Sequence, residues 1–566
     1  MNNKIINMKP YIAIVLFAFF TLFNFSAYSQ SNEDTVYKER VVVIAKYNPT
    51  ISDAFKININ PTISDTAFSV PKFSYNVLDK MAVTKYTVEP IKPARVGDAT
   101  VTKLYKALLK AGFGNYTTPY GEAFINTVQS KKYNAGFHYK HLSSTGKLKN
   151  YGYSDYSNNE ANLFGKMIMS THTLSANFDY DRDVVHYYGY RTDDVLPKLD
   201  KMDTKQRFSF FNGSFMLNSH YSPDSAKLNH SVGVGFYNLS DLYNSVENCL
   251  NVNADVNKEL GLIKITKSQI LGAKVGVEYY LSQNKLTTFN TGLIRIEPYL
   301  NTNFKKFYFN IGVNAVVQTD TATSLHFYPI ADVQFNVIST ILMVYGSIEG
   351  DMTRNSYKSF TDENPFVNSL IAQDYSNNKF TVKGGLKSNI SQNISANAMV
   401  KYSRIKNMPF YVTDTTDIYR NKFNAVYDNV NLFVVHAEVA YQNNEKLRIL
   451  FGGNFYQYTL DKEVKAWQKP YFDVFISAKY NIADKFIITA DIVSNSNYYA
   501  KTYNSAAVVA TSVKGFVDGN LGFEYRYSKK LSAFININNI ASTKYQRWLN
   551  YPVQGINILG GLTFSF

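Results

Sequence analysis

The last strand of this 566-residue chain limits what it can become. Ile556, Ile558, Gly560, Leu562, Phe564 and Phe566 fall on one side of an extended segment. Asn557, Gly561, Thr563 and Ser565 fall on the other, with Leu559 the one apolar intruder. Side chains alternate across a strand with period two, so this is a ribbon with one oily and one wet face. The pattern recurs along the chain. Phe307, Phe309, Ile311, Val313 and Ala315 alternate with Tyr308, Asn310, Gly312 and Asn314. Phe433, Val435, Ala437 and Val439 oppose His436 and Glu438, while Leu531, Ala533, Ile535 and Ile537 oppose Ser532, Asn536 and Asn538, with Phe534 out of place. A soluble β-sandwich also alternates, but a uniformly apolar second wall in strand after strand does not suit it.

The connections decide between the two. Short links recur at Ser130–Lys132, Ser170–His172, Phe304–Lys306, Ser339–Thr340, Ala483–Asp484 and Ser528–Lys530. Mostly longer ones lie between them, near residues 144–160, 184–205, 352–377, 404–428, 459–470, 495–506 and 541–554. Transmembrane barrels sort their loops by parity in this way; a sandwich has no reason to. In hydrocarbon every backbone N–H and C=O must find a partner within the protein, so a sheet crosses only if it closes. The expected fold is all-β: an outer-membrane antiparallel β-barrel of about 22 strands over residues 104–566, with both barrel ends on the short-turn side. The 45 Tyr and 40 Phe suit such a wall, and Tyr279, Tyr280, Tyr456, Tyr458 and Tyr525 are expected in its interfacial girdles.

The start of the chain reads as an export signal over residues 1–29: Lys4 and Lys9, an apolar run from Tyr11 to Phe25, then Ala27-Tyr28-Ser29 before a cleavage at Gln30. Residues 30–103 hold five of the 15 prolines and alternate weakly, which suggests an irregular periplasmic extension with one short strand, Val41, Val42, Val43 and Ile44. Cys249 is alone, so no disulfide forms within the chain. The formal charge of +15 falls to +13 without residues 1–29, suiting a wet, basic lumen and attraction to anions such as lipopolysaccharide phosphates at the barrel rim. The basic residues are scattered and the chain is exported, which argues against nucleic acid.

The end of the chain, Asn538-Asn539-Ile540, then Lys544-Tyr545, Tyr551-Pro552, Gly555 and the strand closing on Phe566, resembles the C-terminus of TonB-dependent receptors. The resemblance implies a 22-stranded barrel, residence in the cell outer membrane with periplasmic N-terminal extension and C-terminus, insertion by the barrel-assembly machinery, and solute transport. Glu39-Arg40-Val41-Val42-Val43 is similar to the segment through which such receptors engage TonB. One departure is expected: residues 30–103 are too few for the family's plug domain, so the extension, infolded loops or a partner protein must occlude a lumen of this width.

Transport across the outer membrane is the first functional expectation. The candidate lumen lining comprises Lys274, Glu278, Arg295, Glu297, Lys383, Lys387, His436, Glu438, Arg448, Asp491, Asp518, Glu524 and Arg526. Hydration and cross-strand pairing explain these residues more simply than a defined ligand site. The alternative is a non-transporting scaffold that binds a periplasmic or envelope partner, through residues 41–44 added to a sheet edge or through the long loops. Enzymatic activity is not expected. His172, His186, His220 and His230 sit in no defensible Ser/His/acid pattern, and no metal spacing or cofactor fingerprint exists. The barrel-closing strand is assigned to Ile556, Ile558, Leu562, Phe564 and Phe566.

Overall fold

The computed structural model describes residues 105–566, apart from residues 129, 147, 193–198, 223–225, 262–268, 321 and 505–506. The signal segment, the extension and residues 41–44 lie outside the described residues. From Ala107 the chain runs through 22 antiparallel wall strands, each hydrogen-bonded to its neighbour. The first, Ala107–Gly114, pairs with Thr118–Asn126 on one side. On its other side it pairs with the last, Asn557–Ser565, from Leu108 opposite Ser565 to Gly114 opposite Leu559. The sheet is a closed barrel.

Alternation gives the wall its two faces. In the closing strand Leu562 is 57% exposed and Leu559, pointing the other way, 7%. Ile558, Phe564 and Phe566 share the outer face of Leu562, as do Ile311 and Val313, Val435 and Val439, and Phe523 and Tyr525 in their own strands. That exposed apolar band is what a lipid-facing wall requires.

Two expectations are corrected. The stretch 404–428 is not mainly loop: strands Ile394–Thr413 and Phe423–Asn443 leave only residues 414–422 between them. Their upper ends rise well past the roughly 9–11 residues a bilayer needs. There Phe410, Tyr411 and Val412 are all buried, so both faces are covered and the period-two signal disappears. The girdle assignment fails at three positions. Tyr279 and Tyr525 are exposed outside, but Tyr280 is buried with its hydroxyl on Glu278, and Tyr456 and Tyr458 pack against an interior cluster around Trp467. Neighbouring residues on one strand cannot both face lipid.

The misplaced Phe534 has a purpose at the seam. Gly112 and Gly561 stand directly opposite each other in the closing pair. Tyr120 pairs with Gly112, and Phe534 with Gly561, so two aromatics flank two glycines across four strands. The Phe534 ring fills the space: a Cβ at Gly112 would lie 3.2 Å from its Cζ and one at Gly561 only 2.6 Å. Tyr120 meets the ring edge-on, with centroids 6.1 Å apart. An aromatic lying over strand glycines is a known way to pin register. Gly561→Val is expected to push the seam apart, since its Cβ would also press into the Ala111 carbonyl oxygen. The expected readout is loss of the fast-migrating unheated band on a gel. Phe534→Ala should retain that band but unfold at lower denaturant, by about 3 kcal/mol.

Candidate functional site

The sequence-proposed lumen residues form local pairs instead of one constellation. Lys274 meets Glu297 at 2.6 Å, and Arg526 meets Glu524 at 3.3 Å. Lys383 bonds Glu349 at 3.0 Å. Ser477 donates to Asp491 at 2.6 Å, and Tyr545 to Asp518 at 2.6 Å. Lys387 lies 5.5 Å from the Tyr345 ring centre. Arg448 sits opposite Gln442 and Lys479 on its neighbouring strands. The His436 ring Nδ1 shares a 2.8 Å hydrogen bond with Asn454 Oδ1, and its Nε2 is 3.7 Å from Glu438. His172, Tyr221 and His230 form a ring cluster beside one short turn, near His220 on the Thr173 hydroxyl, and His186 is buried against Thr204. Among the described residues no group of three His, Cys, Asp or Glu is placed to hold a metal.

One of these pairs leads to something the sequence did not reveal. Arg295 binds Glu278 at 2.6 Å and reaches Asp351 at 3.0 Å, while its Nη2 donates to the Met352 carbonyl at 2.7 Å. Asp351 belongs to a strand three places farther round the wall. The contact exists because strand Leu342–Arg354 stops pairing with Thr323–Ile338 at Ile348 opposite Ala331. Beyond a bulge between Glu349 and Asp351 it continues only with Tyr375–Asn389. This upper hairpin leaves the wall and leans over its inner face, packing Met352 and Tyr375 on Leu293, Val316 and Tyr328. Bulges bend strands in this way.

The hairpin carries a helix, α1 (Tyr357–Glu363), and residues 364–374 into the mouth. Ser356 caps α1 by accepting from the Ser359 N–H at 3.1 Å. The fully buried Glu247 accepts from the Tyr357 and Lys358 N–H groups at 2.8 and 3.1 Å, satisfying two more orphan donors of the first turn. Asp241 accepts from the Tyr357 hydroxyl at 2.8 Å, from Gln206 at 3.1 Å and from the Ser369 hydroxyl. Its other oxygen accepts the Tyr243 and Ser245 N–H groups at 2.9 and 2.7 Å. Two buried carboxylates thus clasp the helix to the wall.

Loops from around the circumference complete the cover. The Tyr187 hydroxyl donates to the Val367 carbonyl at 3.0 Å, Asn421 to the Tyr187 carbonyl at 2.7 Å, and Tyr551 to the Asn421 carbonyl. Phe366 and Tyr551 stack with centroids 3.8 Å apart, and Trp548 lies edge-on to Tyr411 at 5.0 Å. Lys469, beside Trp467, pairs with Glu363 at the end of α1. These residues follow the fifth, seventh, thirteenth, fifteenth, seventeenth and twenty-first wall strands. Loops so far apart on a closed wall can touch only by folding over the lumen. Burial pushes the phenols of Tyr187, Tyr357 and Tyr551 well above their ordinary pKa, so these three hydroxyls stay protonated and can donate. A cavity of about 480 Å³ remains against α1, bordered by Asp181, Asp183, Lys358, Asp362, Arg547 and Trp548.

With that geometry in place, the solved structures it matches are informative. The chain superposes on the FrpB iron transporter from Neisseria meningitidis with a TM-score of 0.64 at 11% identity, covering 82% of each chain. The ferric-catecholate import receptor Fiu from K12 E. coli gives 0.62 at 10%, again over 82% of each. The pyoverdine outer membrane receptor FpvA from Pseudomonas aeruginosa PAO1 gives 0.62 at 10%, over 82% of this chain and 79% of that one. The barrel has the TonB-dependent receptor fold. No family model matches the sequence, and no curated protein matches it.

Within this TonB-dependent receptor fold, infolded loops were one of the three occluders expected from sequence, but the residues that build the lid were not legible. Only the pairs Lys274/Glu297, Glu278/Arg295, His436/Glu438 and Glu524/Arg526 were brought together from the proposed lining. Asp241, Glu247 and the buried aromatics were missed. The long 352–377 stretch was their one available signal. Replacing Asp241 and Glu247 together by Ala is expected to release the lid, each lost carboxylate orphaning several buried donors at about 2–3 kcal/mol. Hydrogen exchange across residues 355–374 should rise by orders of magnitude while the wall stays protected; unchanged protection would contradict the clasp.

Proposed function

We propose that this protein is an outer-membrane transport barrel whose outer mouth is gated by its own lid. The long loops face the exterior, the barrel's two described ends face the periplasm, and the Pro-rich extension of residues 30–103 lies there too. The observation that carries this reading is the joint presence of a wide closed wall and a cover made of loop residues from around the circumference. A scaffold that only needed rim loops has no use for a lumen lined by paired charges, whereas a solute path has. The solute meets the lid first. Its aromatic faces and the Asp181, Asp183 and Asp362 carboxylates around the cavity against α1 offer stacking and hydrogen-bond acceptance to a bulky polar molecule. Because the structures of similar fold include an iron transporter and a ferric-catecholate import receptor, an iron chelate is the first solute class to test.

On this reading residues 41–44 offer a strand to a periplasmic partner, TonB among the candidates, which would supply the work of opening. The firm closure of the lid favours a second reading, a scaffold that displays loops and binds an envelope partner without transport. Two measurements separate them. Cells making the intact protein should accumulate a labelled ferric chelate, and deleting residues 31–100 should abolish that uptake. If no chelate accumulates, and the deletion removes a co-purifying envelope protein without altering planar-bilayer conductance, the scaffold reading replaces the transport one.

A further inference from the structure

The wall is lowest at its seam. Strands Leu531–Asn538 and Ala107–Gly114 have eight residues each, and Asn557–Ser565 and Thr118–Asn126 beside them nine, whereas Phe423–Asn443 has 21. About 9–11 residues span the hydrocarbon, so at the seam the apolar layer reaches the rim. The twentieth wall strand, Phe516–Arg526, stands above this low stretch. On one side it pairs with Phe486–Asn495 from Tyr525 up to Phe516. On the other it pairs with Leu531–Asn538 only from Leu521 onward, so residues 516–520 have no strand beside them there. The chain leaving Asn538 closes this gap. Asn539 turns it at a φ of 50°, and the Ile540 N–H donates to the Gly519 carbonyl at 2.9 Å. Tyr545 then returns against the inner face, its ring stacked on Phe516 with centroids 3.8 Å apart and its hydroxyl donating to Asp518 at 2.6 Å.

Cavities lie on both sides of the closure. An outer one of about 1020 Å³ is bordered by Ile492, Val517 and Ile540, which are exposed on the lipid-side face, and by Phe516, Asn520 and Tyr545 of the opposite face. A fully paired sheet keeps its faces apart, so a cavity bordered by both runs past a free edge. An inner one of about 460 Å³ is bordered by Leu142, Val185, Phe366, Val553 and Leu559. Tyr545 borders both. We propose that this gap is a side portal through which a long-chain alkyl solute passes between the lumen and the outer leaflet, with Tyr545 as its gate. The proposal goes beyond the transport reading and rests on its placement of the long loops outside. Apolar side chains border both cavities, and an alkyl chain leaving sideways enters hydrocarbon without meeting water. A ferric chelate taking the same path would lose its hydration uncompensated. The closed gate is held by one stack and one hydrogen bond, and it leaves the other Asp518 oxygen buried without a partner, so opening gives up little.

The test uses the full-length protein in phospholipid vesicles loaded with hexadecanoic acid that carries a diazirine at its chain end, with labelled residues located by fragment mass spectrometry. The wild type should be labelled at Ile540 outside and at Val185 and Phe366 inside. Tyr545→Ala, which removes both the stack and the hydrogen bond, should raise the inner labelling roughly tenfold. Gly519→Leu should fill the outer cavity and cut the inner labelling by a similar factor; a Cβ at that position meets only Ile540 Cδ1, at 3.9 Å. Val313→Leu, on the outer face elsewhere, should change neither. Label at Ile540 with none at Val185 or Phe366, even in Tyr545→Ala, would make the outer cavity a surface groove or an edge for an added peptide strand, and would overturn the proposal. Inner labelling indifferent to both variants would overturn it too. The unheated gel band reports folding, and if Tyr545→Ala loses it, Gly519→Leu and the milder Tyr545→Phe decide. Ferric-chelate uptake is measured separately in cells, so a failed portal and a failed transport reading leave different records.

Discussion

A backbone N–H or C=O left unpaired in hydrocarbon costs several kcal/mol, and the whole structure follows from avoiding that cost. A sheet has two edges, and the only way to lose both is to pair the first strand with the last. The seam between Ala107–Gly114 and Asn557–Ser565 does this. Its weak point is the facing pair Gly112 and Gly561, where side-chain packing is missing; Phe534 and Tyr120 supply it from the adjacent strands. An apolar residue pointing into a wet lumen looks like an error in the pattern. At the seam it is what holds the register.

How much was legible depended on whether a residue's surroundings had two distinct faces. Where lipid lies on one side and water on the other, alternation is clean, and the strand number, the loop parity and the closing strand could all be read. Phe433 against His436 and Ile535 against Asn536 are such places. Above the membrane the distinction ends. Phe410, Tyr411 and Val412 are buried in succession because the lid covers one face and neighbouring loops the other, so a strand there looked like loop. Tyr280 and Tyr456 were misread for a related reason: an aromatic near a strand end signals an interface only if its parity puts it outside.

The site was hidden more deeply. The proposed lining residues are spaced along strands, and period two says which wall each faces but nothing about which distant strand it meets. Arg295 was correctly placed inside, yet its partner Asp351 depends on a bulge and a departure from the wall that leave no mark in the local sequence. Asp241 and Glu247 sit in an ordinary short connection and strand start. Their importance comes from donors about 110 to 130 residues away.

The clasp also limits what can open the mouth. A solute shifts the lid only by the difference between its affinities for the closed and open states, and about 5.5 kcal/mol is needed to move it from one hundredth open to one hundredth closed. Every group that Asp241 and Glu247 hold on the lid side is a hydrogen-bond donor: the amides of Tyr357 and Lys358, the phenol of Tyr357 and the hydroxyl of Ser369. A solute that offered only acceptors would leave both carboxylates buried with their lid-side donors unreplaced once the helix moved, and would favour the closed state. One carrying its own donors, with flat faces to replace the stacking of Phe366 on Tyr551, could exchange contact for contact. A small solute without both features would need work delivered from elsewhere, and among the described residues the lid's only covalent connections are to the wall strands. The chemistry of the clasp thus narrows the solute or the source of energy before either has been identified.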